Sequence, residues 1–148
     1  MKIRTLSNEE AAQSGYNVVV NLFATDLVGE TSGTLFEILA KFTTAVNIPA
    51  GSALLRAAAK VKTAFAGTGI TVLTLKVGDD GDDDRAMAAF DLLTAPGYFV
   101  NPSTLPYVFA AANTVDGIAT ATGGALSALT AGEVDLFFFI NDLNKIDS

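Results

Sequence analysis

The sequence predicts an all-β fold: a single-domain antiparallel β-sandwich, jelly-roll-like, with a short N-terminal arm or helix. Three observations predict it. Near the C-terminus, Val134, Leu136, Phe138 and Ile140 alternate with Glu133, Asp135, Phe137, Phe139 and Asn141. A period of two is the signature of a strand, not of a helix. Turn signals recur every 8–15 residues or so and separate about seven or eight candidate strands, the spacing of a sandwich or jelly roll. The 148 residues are 50% hydrophobic and 17% charged, which argues for one folded domain with a real core rather than a disordered chain.

The elements follow in order. Ser7-Asn8-Glu9-Glu10 fits a capping box, and Gly15 stands where a two-turn helix would stop. Residues 1–15 are therefore a short helix or an extended arm, and residues 16–148 form the sandwich. Tyr16–Asp26 reads as a first strand, with Tyr16, Val18, Val20 and Leu22 on one face and Asn17, Val19, Asn21 and Phe23 on the other. A turn over Val28–Gly33 leads to a strand over Thr34–Val46, where Phe36, Ile38, Ala40 and Phe42 oppose Leu35, Glu37, Leu39 and Lys41. Asn47–Gly51 is a loop, since Pro49 fixes φ and Gly51 permits positive φ.

Ser52–Phe65 fits two templates. As a helix it aligns Leu54, Ala58, Val61 and Phe65, and its alanines favour that state. As a strand it places Leu55, Ala57, Ala59, Val61 and Phe65 inside, with Arg56, Lys60 and Lys62 outside beside Leu54 and Ala58. Only the strand separates all three basic residues from the aliphatic face, so a strand is expected. Gly67-Thr68-Gly69 is a hairpin turn, and Ile70–Val77 a strand of β-branched residues and Leu. An acidic loop follows over Gly78–Asp84. Arg85–Leu93 is a short helix or a strand. Ala95–Pro106 reads as irregular because of its prolines. Tyr107–Ala112 and Thr114–Ala121 read as two short strands. A glycine turn at Gly123-Gly124 and a second turn at Thr130-Ala131-Gly132 precede the closing strand.

Composition excludes several functions. The net charge of −7, with nine Lys plus Arg, opposes binding to duplex DNA or RNA, which needs cations to neutralise phosphates. With no Cys there is no disulfide, thiolate nucleophile or Cys–zinc site, and with no His the usual general base and transition-metal ligand are missing. No apolar h-region follows Met1 and no run of 18 apolar residues occurs, so the expectation is a chain made in a cytoplasm and not inserted in a membrane. The carboxylates Asp26, Glu30, Glu37, Asp91, Asp116, Glu133 and Asp135 are scattered, and no spacing selects an acid and a nucleophile. Gly123-Gly124 lacks the Lys-Ser/Thr of a phosphate loop.

Two features remain. The loop Gly78–Asp84 carries five aspartates, which offer oxygen ligands to Ca²⁺. With Gly81 at the sixth EF-hand position, however, Lys76 and Met87 fall at the first and twelfth, so a solvated loop is the expected reading and no cofactor or metal site is assigned. Phe137 and Phe139 lie opposite the apolar face of the last strand. Either their own chain covers them or that face meets another protein. Arg85 pairs with Asp84 or reaches a neighbouring subunit. Phe137, Phe139 and Arg85 are the residues the sequence offers to an interface.

Several segments, in this order, resemble small virion structural proteins of tailed bacteriophages, of the head decoration or cement type. They are IPAGS (Ile48–Ser52), VGDDGDDDR (Val77–Arg85) and TATGGALSALTAGEVDLFFFINDLNKI (Thr120–Ile146). The resemblance covers about the last two-thirds of the chain and departs in the alanine-rich Leu54–Lys60 and Ala86–Ala89. It implies a sandwich or jelly-roll subunit of the virion with no enzymatic activity, assembled in the host cytoplasm. The implied partners are the major capsid protein and sister copies in a homo-oligomer. The alternative is a carbohydrate- or receptor-binding sandwich of a tail or fibre. The absence of Trp and the presence of only three Tyr count against it.

Overall fold

Two antiparallel sheets pack face to face in the computed structural model, which describes residues 1–39, 48–100 and 105–145. The strands are β1 (Lys2–Thr5), β2 (Val18–Phe23), β3 (Leu35–Leu39), β4 (Ser52–Gly67) and β5 (Val72–Gly78). They continue as β6 (Met87–Asp91), β7 (Gly97–Val100), β8 (Tyr107–Val108), β9 (Val115–Thr122) and β10 (Leu129–Asp142). Helix α1 (Asn8–Ser14) and a single helical turn, α2 (Ala24–Leu27), complete the elements used below.

The first sheet runs β1-β2-β10-β4-β7, with β8 also pairing β4; the second runs β3-β9-β5-β6. From β2 onward the chain changes sheet at nearly every connection, and among the described residues the only hairpin within the second sheet is β5–β6. The interleaved orders 2-10-4-7 and 3-9-5-6 are those of a jelly roll, two Greek keys wrapped into a sandwich. The predicted fold class therefore stands.

The core is what the period of two dictates. Val134, Leu136, Phe138 and Ile140 are buried, as are Val18, Val20 and Leu22 of β2 and Leu73, Leu75 and Val77 of β5. Ser52–Phe65 is a strand, as the placement of its basic residues required, but the face assignments of Leu54 and Leu55 are exchanged. Leu54 is 1% exposed, and Leu55 is only half-buried. Between β4 and β10, Phe139 pairs with Arg56 and Ile140 with Leu54, so Leu55 is the extra residue of a β-bulge. The extra residue breaks the alternation, so Leu54 takes the inward place that strict alternation back from Ala57 would give to Leu55.

Other boundaries shift for physical reasons. The first strand stops at Phe23, not Asp26, because the Asp26 carboxylate accepts the Phe23 N–H at 2.8 Å and closes the α2 turn. Val19, placed on the outer face, is nonetheless 5% exposed. Arg85–Leu93 resolves as a strand, β6. Gly97–Val100, expected to be irregular, pairs with β4 as β7. The expected strand Tyr107–Ala112 shrinks to the two residues of β8.

There is no turn at Thr130–Gly132, which lies inside β10. Gly132 has φ +144, and a Cβ there would lie 2.3 Å from the Phe65 ring. Its glycine makes room for a core aromatic instead of reversing the chain. The expected strand over Thr34–Val46 is seen as β3, with Phe36 and Ile38 buried; its remainder lies outside the described residues. Among the described residues no helix is long and apolar enough to cross a membrane.

Candidate interaction face

The outer face of the first sheet collects the side chains that point away from the core. On β10 these are Glu133, Asp135, Phe137 and Phe139, and on β4 they include Arg56, Ala58 and Lys60. β7 adds Tyr98, paired with Lys60, and Val100, paired with Ala58. Directly paired residues share a face.

Phe137 and Phe139 are both half-buried, and both have cover from their own chain. The Tyr16 ring lies 5.8 Å from that of Phe137, and the Arg56 guanidinium sits 5.3 Å from the Phe139 centroid. The cover begins with the capping box of α1. The Ser7 hydroxyl accepts the Glu10 N–H at 3.2 Å, and the Glu10 carboxylate accepts the Ser7 N–H at 2.9 Å and the Arg4 guanidinium. Gly15 ends the helix at φ +77, and a Cβ there would meet Arg56 Nη1 at 2.8 Å. The glycine lets the chain turn down tightly beside Arg56, which brings Tyr16 onto Phe137. No residue of α1 is buried, so the helix rests on the sheet without joining the core.

Beyond Phe137 the face opens. A groove of about 610 Å³ is lined by Tyr16, Ala58, Tyr98, Val100 and Phe137, with Ser14 at its rim. Tyr98 is 69% and Val100 71% exposed, and Val108 on the adjoining β8 is 51% exposed. Sequence reasoning missed these residues, because Pro96 and Pro102 made the segment look irregular. The signal was present in Gly97-Tyr-Phe-Val, where inward Phe99, 4.9 Å from Phe90, separates two outward apolar residues.

Charge on this face is sorted. The Lys62 ammonium bonds Glu133 at 2.7 Å and lies 3.7 Å from Asp135; these two carboxylates raise its pKa, the hydrogen bond to Glu133 foremost. The Lys60 ammonium sits 5.6 Å from the Tyr98 centroid. Neither Lys60 nor Arg56 has a carboxylate within ion-pair distance among the described residues.

Arg85 lies elsewhere, at the acidic loop, and its ion pair is not with Asp84. Its guanidinium bonds the Asp79 carboxylate through Nε and, at 3.3 Å, through Nη2. It stacks 3.6 Å from the Tyr107 centroid. The Asp79 side chain is 3% exposed and also accepts the N–H groups of Gly81 and Asp82, each at 2.9 Å. Asp80 accepts from Asn113 at 3.0 Å, and Asp83 lies 3.4 Å from Lys76. The carboxylates of Asp82, Asp83 and Asp84 come within 4.8 Å of one another. A hydrogen bond with Asp82, then burial and the neighbouring charges, raises the Asp84 pKa. The loop is thus a closed turn organised around Asp79. Nearby, Asp116 is 6% exposed and its carboxyl is pushed up by burial and by the charges of Glu37, Asp80 and Asp79, against the bond from Thr114 at 2.7 Å.

No protein-family model matches the chain, and comparison with characterised proteins finds no significant sequence relative. Among solved structures the fold is similar to a chain of the cyanophage Pam1 capsid asymmetric unit, with TM-score 0.52 and 17% identity over 82% of this chain and 81% of that one. The acid-stable capsid of Helicobacter pylori bacteriophage KHP30 also contains a similar chain, with TM-score 0.40 and 12% identity over 93% of each. The fold is therefore one that occurs in a phage capsid assembly.

Proposed function

We propose that this chain is a non-enzymatic structural protein of a bacteriophage particle, which decorates and stabilises the capsid through subunit contacts. The observation that carries this reading is the jelly roll shared with the cyanophage Pam1 capsid chain over about four-fifths of both chains. Nearly equal coverage means that the likeness spans the domain as a whole, not a small part of a much larger protein. Jelly rolls build viral capsid domains and lectins alike. The lack of His and Cys, and an aspartate cluster occupied by its own Arg, Asn and Lys, supply no grouping of acid, base and nucleophile.

The outer face of β4, β7 and β10 is the contact surface in this reading, with the major capsid protein and sister copies as partners. Tyr98, Val100 and Phe137 form its apolar part. Residues 1–15 act as an arm laid along the edge of a domain of residues 16–148: β1 pairs with β2 as the edge strand of the first sheet, and no residue of β1 or α1 is buried. Standard interfaces bury about 1,200–2,000 Å² in total, and many copies on a lattice add avidity. The net charge of −7 fits a protein that does not bind nucleic acid.

One observation favours the alternative of a carbohydrate- or receptor-binding domain: Tyr98 is exposed as a flat aromatic platform. A single experiment separates the readings. Purified protein is mixed with particles of the encoding phage that lack it, and bound copies are counted. Hundreds of copies are expected. A handful indicates tail or vertex placement, and none, with binding on a glycan array instead, replaces this reading by the alternative.

A further inference from the structure

We infer that the groove beside Phe137 is built to receive an extended apolar segment bearing carboxylates, supplied by a partner protein. This rests on the contact surface proposed above and names the chemistry of its occupant. The groove floor is apolar, made by Ala58 and Phe137 with Tyr98 and Val100 beside them. Arg56 and Lys60 flank Ala58 on the same strand and the same face, two residues to either side. At about 3.3 Å per residue their backbones stand about 13 Å apart.

Both cations are held in place by aromatic faces, Arg56 over Phe139 and Lys60 over Tyr98. Neither is matched by a carboxylate among the described residues, although the chain has 16 Asp and Glu against nine Lys and Arg. Where this sheet does need neutral pairs it makes them: Lys62 is matched by Glu133 and Asp135, and Arg4 by Glu10. Lys2, on the edge strand β1, is likewise left with a ring, that of Phe23, but only Arg56 and Lys60 stand beside the groove. An occupant that covers the apolar floor and brings acidic side chains to Arg56 and Lys60 satisfies both features at once. An extended segment suits the geometry, because outward positions on the strand recur about every 6.6 Å and match the alternate side chains of a second strand. A second copy of this chain is the less favoured occupant, since each copy carries a net charge of −7 and repels another.

The test uses the full-length ¹⁵N-labelled protein and two synthetic octapeptides, one alternating valine with glutamate and one alternating valine with lysine. Amide shifts from the glutamate peptide are expected at Arg56–Lys60, Tyr98–Val100 and Phe137, with the lysine peptide at least ten-fold weaker. The double variant R56E/K60E should reverse that preference. Shifts confined elsewhere, equal response to both peptides, or no response to either would overturn the inference. Shifts at the same residues on raising protein concentration alone would overturn it in favour of a second copy. No particle enters the assay, so failure of the decoration reading leaves this result standing, and the reverse also holds.

Discussion

Replacing Arg85 by Ala should destabilise the protein severely, and the structure gives the size. The Asp79 carboxylate, 3% exposed, loses its counter-ion, and the Tyr107 ring loses the guanidinium stacked 3.6 Å above it. Removing one partner of a buried pair costs roughly 3–5 kcal/mol. Arg85 itself is 18% exposed, which puts the expectation at the lower end, about 3 kcal/mol. For a domain of this size each kcal/mol moves Tm by about 2–4 °C, so the loss is about 6–12 °C. Thermal unfolding by circular dichroism reads it. In the R85A background, D79N should recover part of the loss, because a neutral amide needs no cation and can still accept the N–H groups of Gly81 and Asp82. A cost under about 1 kcal/mol, or no recovery in the double variant, would refute the pairing as the organiser of the acidic loop. If R85A folds normally but no longer binds particles, Arg85 belongs to the interface instead.

Three further outcomes are expected. Gly132→Ala drives a methyl into the Phe65 ring, and overpacking of this kind costs about 1–3 kcal/mol, read as a lower urea midpoint at unchanged slope. Asp116→Asn should raise Tm at pH 7. The folded carboxyl titrates above its unfolded value, so wild-type stability falls as pH rises from the unfolded pKa through the folded one. The advantage of the variant should therefore shrink as pH falls through about 4 and vanish by about pH 3, where both states of Asp116 are protonated; an advantage that persists there contradicts the burial account. Tyr98→Ser with Val100→Ser changes mostly exposed surface, so Tm should move by no more than about 2 °C while particle binding falls at least ten-fold.

Much of the fold was legible because local chemistry and tertiary need agree. The alternation from Val134 to Ile140 named a buried face, and all four residues are within 1% of full burial. Arg56, Lys60 and Lys62 decided strand over helix for an alanine-rich segment, since burying any of them would cost more than alanine's helical preference supplies. What was hidden depends on partners. The bulge at Leu55 belongs to the pairing of β4 with β10, and nothing in Leu54-Leu55 announces it. Gly132 looks like a turn residue until Phe65 is placed beside it. β7 is four residues long, and its neighbouring prolines outweighed its alternation.

The candidate face was half legible for the same reason. Phe137 and Phe139 were correctly seen to point away from the apolar face of their strand. Their covers, Tyr16 and Arg56, come from distant parts of the chain. Tyr98 and Val100, the most exposed apolar residues of the groove, lay in the segment set aside as irregular.

The most direct test is electron cryomicroscopy of particles reconstituted with the protein, at a resolution that traces its strands. The account predicts hundreds of sandwiches on the capsid lattice, with the Tyr98, Val100 and Phe137 side of the first sheet against a neighbouring subunit. Density only at a tail or vertex, or on the lattice with that side facing solvent, would contradict it.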